Sequence, residues 1–189
     1  MTRFHQILLL CSVSLLAWLL MQAVHELGHV VIAWPTGGSV ERVVLHPLAI
    51  SRTDVDPNPH PLAVAWGGPI IGVLLPIAMW GVATRLLHNY AWLVKFLAGF
   101  CLLANGLYVG VGSFQKIGDA GDIQQHGSPI WLLWLFGLVT VPTGLALWNG
   151  LGKHFGIGKA PEPIRPNLSY ACAITFVLLA FAEAALFRS

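Results

Sequence analysis

The chain has 189 residues, of which 56% are hydrophobic and only 10% charged, and its mean hydropathy is +0.72. Soluble domains sit near about 45–50% apolar and about 25% charged. The composition therefore excludes an ordinary soluble enzyme and predicts an all-α polytopic membrane protein, one embedded bundle over residues 1–189 with lipid as its main solvent. A formal net charge of +2, spread along the chain, gives no reason to expect a nucleic-acid partner.

The N-terminus, "MTRFHQILLL", has the charge-then-apolar form of a signal peptide. Its apolar run continues past Trp18 without a small-residue cleavage site, so an uncleaved first span is expected. Five apolar stretches reach spanning length: Ile7–Trp34, Leu62–Leu87, Ala91–Gly112, Pro129–Leu151 and Leu168–Phe187. The first is overlong, about 42 Å as helix against roughly 30 Å of hydrocarbon. Counting from Ile7 puts His25 about 27 Å along, inside the core but near one face, where water can reach.

Gly37 and Gly38 are expected to end that first helix. The β-branched run after them predicts a short hairpin, with strands Val40–Leu45 and Leu48–Thr53 followed by a Pro/Asn/Asp loop. Residues 152–167, where prolines and glycines mix with charge, are expected to form an exposed linker. Cys11, Cys101 and Cys172 each stand alone in apolar runs without zinc-site or redox spacing, and are expected as buried packing residues.

The chemistry is concentrated in "HELGH", residues 25–29. Residues four apart share a helix face, so His25 and His29 can both offer an imidazole nitrogen to one metal ion. Glu26, beside the first ligand, can act as general base for a water that attacks a carbonyl, the H-E-x-x-H arrangement of zinc hydrolases. With eight histidines in the chain, a chance match is on the order of one in a hundred. Ionisable residues within a span are also costly, which makes chance a still poorer account. The bland alternative is a histidine pair bonded to the backbone of neighbouring helices.

A catalytic zinc needs a third protein ligand and one open position. In a serpentine topology the end of the third span emerges on the side of His25 and His29. There "SFQKIGDAGDIQQHG" sets Asp119 and Asp122 among glycines, and either can return to the metal if Gly118 and Gly121 let the backbone turn in. His46, His60 and His126, on the same side, are expected as surface histidines, and Glu183 as a carboxylate snorkelling from the fifth span. Gly67, Gly68 and Gly72 in "WGGPIIG" permit close helix packing or leave room for an extended substrate beside the metal.

"HELGH" in an apolar span, a strand-forming loop after it, "GGP" opening the next span and an aspartate among glycines after a third resemble the site-2 protease family of intramembrane zinc metalloproteases. The resemblance covers roughly residues 19–123. The core would then be residues 7–123, with additional C-terminal helices over 129–187. It implies His25 and His29 as zinc ligands, Glu26 as catalytic base and Asp119, opening "DAGDI", as third ligand. Asn105 would match an asparagine that helps to hold substrate, and the hairpin, Val43 included, would border the substrate groove. The family's Asn-x-x-Pro is absent here, since "NGLY" has no proline, and the interval to the aspartate is longer. Nor does the chain show a PDZ-like domain, so it would be a minimal member.

The expected activity is hydrolysis of a peptide bond in or near the transmembrane segment of a membrane-protein substrate. The alternatives are a zinc-dependent membrane hydrolase of a lipid or small amide, and a non-catalytic pseudoprotease. The expected location is integral and multi-pass, in the cell membrane. Arg3, Arg85, Lys95, Lys153, Lys159 and Arg165 fall on one side and Arg42, Arg52, Lys116 and Arg188 on the other, a weak bias toward an internal N-terminus. The family resemblance implies the reverse orientation.

Overall fold

The computed structural model describes residues 2–48, 50–158 and 160–187. Ala49, inside the expected second strand, and Lys159 and Arg188, counted above for orientation, lie outside these. The order of elements is α1 (Thr2–Ala33), β1 (Val40–Val44), β2 (Arg52–Val55), α2 (Pro61–Leu86), α3 (Ala91–Gln115), α4 (Gly118–Gln125), α5 (Ile130–Trp148) and α6 (Pro166–Leu186). Among the described residues, α1, α2, α3, α5 and α6 are the five helices long and apolar enough to cross a membrane. They match the five predicted stretches to within a few residues at most ends, while α1 begins five residues earlier than Ile7.

Helices α1, α2 and α3 pack on one another, with α5 laid against α3 and α6 against α1. Two clusters hold the bundle. One joins Leu9, Val13 and Ala17 of α1 to Phe96, Leu97 and Cys101 of α3, with Phe155 and Cys172. The other joins Ala65, Val109, Ala120, Ile123 and Leu133 at the opposite end. Many outward side chains of α5 and α6, Leu138, Val139, Leu178 and Phe181 among them, are exposed and apolar. A helix face of that kind suits lipid.

The hairpin forms where predicted, but its second strand is Arg52–Val55 rather than Leu48–Thr53. Leu48 is 89% and Ile50 75% exposed, so their apolar alternation has no face to bury against. The pairing is antiparallel, with Val43 opposite Thr53 and Val44 opposite Arg52. Two further expectations are corrected. Leu151, the last residue of the fourth expected span, and residues 152–155 of the expected linker form a 3-10 turn that buries Leu151 and Phe155, because aromatic packing against Phe96 and Trp92 outweighs the turn-prone composition. Cys11 is exposed on the outer face of α1, while Cys101 and Cys172 are buried as expected.

Between α3 and α5 the chain does not loop. Lys116 adopts a left-handed conformation that ends α3, and Gly118, at φ 51, opens the eight-residue α4. Where an irregular glycine loop was expected, a short helix carries the aspartates. Its apolar residues Ala120 and Ile123 are buried in the second cluster and fix the helix to the bundle.

Candidate metal centre

His25 and His29 lie one turn apart on α1, and both are buried. The His25 ring donates Nδ1–H to Oδ1 of Asn105 on α3, at 2.6 Å. The Asn105 amide is itself oriented, because its Nδ2 donates to the Cys101 carbonyl at 2.9 Å. His29 donates Nδ1–H to the Val64 carbonyl of α2, at 2.8 Å. Each ring therefore spends its one proton on a fixed acceptor and presents a bare Nε2 lone pair.

The two lone pairs face each other at 3.2 Å. Asp119 Oδ2 lies 2.7 Å from His25 Nε2 and 3.5 Å from His29 Nε2. Three acceptors thus converge without a donor between them, an arrangement that a shared cation satisfies. Bonds of about 2.0–2.1 Å in a tetrahedral zinc site place ligand atoms roughly 3.3 Å apart, and the three separations bracket that value. His25, His29 and Asp119 form a group that can hold a metal ion. Asp119 Oδ2 is the third acceptor of the group, beside the two bare imidazole nitrogens. Asp122, the other aspartate left open by the sequence, is exposed at the mouth of the cleft and outside this group.

The neighbouring backbone is fitted closely around the three ligands. A Cβ on Gly68 would run into His29 Nε2 and come within 2.7 Å of His25 Nε2. Only glycine lets α2 pass so near the imidazoles. Gly67 meets Gly28 and Ile32 of α1 instead, in the tight crossing that brings Val64 within reach of His29. Gly72 abuts the Asn105 side chain. Tyr108, one turn after Asn105, accepts the Asp119 backbone N–H at 3.3 Å and sets its ring edge against His25. Through Asn105 and Tyr108, α3 thus holds His25 and Asp119 from one side.

Glu26 is 2% exposed, and both its oxygens are bonded, to Ser51 Oγ at 2.6 Å and to Thr53 Oγ1 at 2.6 Å. The segment before β2 runs along α1 on bonds spaced four residues apart. Trp18 Nε1–H donates to the Pro47 carbonyl at 3.2 Å, Gln22 Oε1 accepts Ser51 N–H at 3.0 Å, and Glu26 follows.

An open cleft of about 990 Å³ has all of these on its walls: His25, Glu26, His29, Asp119, Asn105 and β2. Val43 is not among the residues lining the cleft; it is half-buried in β1, opposite Thr53. Asn105, expected to hold substrate, lines the cleft and is bonded to His25. His60 and His126 are exposed as expected, His126 at the cleft mouth; His46 is half-buried, as is Glu183 near the end of α6.

Sequence reasoning missed the Val64 carbonyl, Tyr108, Ser51 and Thr53. For the last pair a signal existed, since hydroxyl residues two apart in "SRT" share one face of a strand. No protein-family model, curated protein or solved structure matches this chain.

Proposed function

We propose that the chain is an intramembrane zinc metalloprotease of the site-2 protease type, embedded in the bilayer, that hydrolyses a peptide bond in or near a transmembrane segment of another protein. The observation that carries this reading is the set of three converging acceptors, His25 Nε2, His29 Nε2 and Asp119 Oδ2, on the wall of a cleft that also holds Glu26. Two histidines and one carboxylate leave a fourth position of a tetrahedral site open, as a catalytic rather than a structural centre requires. Zinc suits this nitrogen and oxygen set, and when bound it supplies a Lewis acid that acidifies water and polarises a carbonyl.

The protein's own groups do the rest. Asn105 and the Val64 carbonyl hold the imidazoles in the tautomer that leaves Nε2 free. Glu26 takes a proton from the attacking water and returns it to the amide nitrogen as the C–N bond breaks, so that the carboxylate is regenerated. A substrate helix has to unwind to expose its carbonyls, and bare backbone in lipid costs several kcal/mol per group. β2 borders the cleft and offers a strand edge to that backbone, which favours a peptide over a lipid.

The test compares membrane proteins by quantitative mass spectrometry in cells carrying the native chain or Glu26→Gln. The expected result is an intact single-span protein that accumulates with the variant while its cut fragment disappears. A change in lipids or small metabolites with membrane proteins unaltered would replace this reading with a different hydrolase.

A further inference from the structure

The buried Glu26 carboxylate receives one short hydroxyl bond on each oxygen, and both come from a single stretch of chain. Side chains two apart on a strand share a face. Ser51 and Thr53 accordingly point together at Glu26, while Arg52 and Asp54 do not bond it and pair with each other at 3.3 Å. Ser51 is itself fixed, since its N–H is bonded to Gln22 one turn before Glu26 on α1. Hydroxyl-to-carboxylate bonds of this length are charge-assisted and roughly twice as strong as neutral ones. Each carboxylate oxygen has two acceptor sites, so one bond apiece leaves both free to accept another proton. If this contact only anchored the hairpin, a neutral side chain on α1 would serve without the cost of burying a charge.

We propose that Ser51 and Thr53 are positioning residues for Glu26, fixing the plane of its carboxylate in the cleft wall. The inference rests on Glu26 being the base. It also makes β2 serve two purposes at once. The strand bordering the substrate cleft is the strand that aims the base, so a peptide seated along β2 is registered to Glu26 through one short piece of backbone.

The test uses the full zinc-loaded chain in lipid nanodiscs and acetohydroxamate, whose hydroxyl presents a proton to a base beside the metal. Ser51→Ala/Thr53→Ala should weaken acetohydroxamate about tenfold with zinc content unchanged. It should also shift the Glu26 carboxylate stretch, identified as the infrared band lost in Glu26→Gln. Thr53→Val, which keeps side-chain shape and β preference, should give about a threefold loss. The conservative Ser51→Thr/Thr53→Ser exchange should restore both signals, and Gly81→Ala on α2, away from the cleft and with open space at its Cβ, should change neither. Native affinity and an unmoved band in both hydroxyl-deleted proteins would overturn the proposal. If Glu26→Gln itself bound acetohydroxamate like the native chain, the assignment of Glu26 as base would fail instead.

Discussion

The two ends of the bundle are built on opposite principles. At one end Phe96, Trp148, Phe155 and Trp92 stack or meet edge to face, with Leu9 and Val13 beneath them, and its buried core is apolar. At the other, buried His25, Glu26, His29 and Asn105 lie beside the second apolar cluster, and each of these four side chains makes a directed hydrogen bond. Between helices in lipid there is little hydrophobic drive, so the first end is held by shape and van der Waals contact. The second end depends on each polar group finding its partner, and three acceptors there find one only in a shared cation. The buried polar chemistry is thus confined to one end of the same helices, while apolar packing holds both.

The comparison can be broken most severely at Gly68. Gly68→Ala puts a methyl group onto the ligand nitrogens, and the zinc content of the purified chain should fall to background. Gly81→Ala on the same helix, where a Cβ meets nothing within 4 Å, should leave zinc and melting unchanged. Next in size, Asn105→Ala should lower zinc affinity about 10–100-fold, read by chelator competition, with the fold retained. The aromatic end should respond in reverse. Phe155→Ala opens a cavity costing about 3 kcal/mol in thermal or denaturant unfolding, while zinc stoichiometry stays as in the native chain. The smallest effect is expected at Glu162, an exposed side chain whose pKa is lowered by His154 and Lys153. Glu162→Gln should shift neither melting nor zinc, because exposed ion pairs contribute little.

The same contrast explains what could be read from sequence. His25, Glu26 and His29 are legible because a helix fixes their relations within one turn. The five long helices are legible because length and hydropathy alone mark them. Asp119 was reachable through topology, since a third helix running parallel to the first must end beside it. Asn105 came into view only through the family resemblance, and its tie to His25 depends on how α1 meets α3. The second strand was misplaced for a related reason. Leu48 and Ile50 carry the local apolar signal, but Ser51 and Thr53 carry the tertiary bonds to Glu26 that decide where the strand lies. α4 hid behind its glycines, because Ala120 and Ile123 gain their burial only once α3 and α5 are in place.

The ligands are also far apart in order of synthesis. His25 and His29 belong to the first helix, and Asp119 follows His29 by 90 residues. At about 5–20 residues per second, a ribosome takes roughly 5–20 s to cover that interval. Through that time the chain offers a metal only a two-histidine pair, without the Asn105 bond that orients one ring. The group that can hold a metal ion is therefore completed late, by the arrival of α3 and α4, and a chain halted before Gly118 would have the two histidines without the third acceptor.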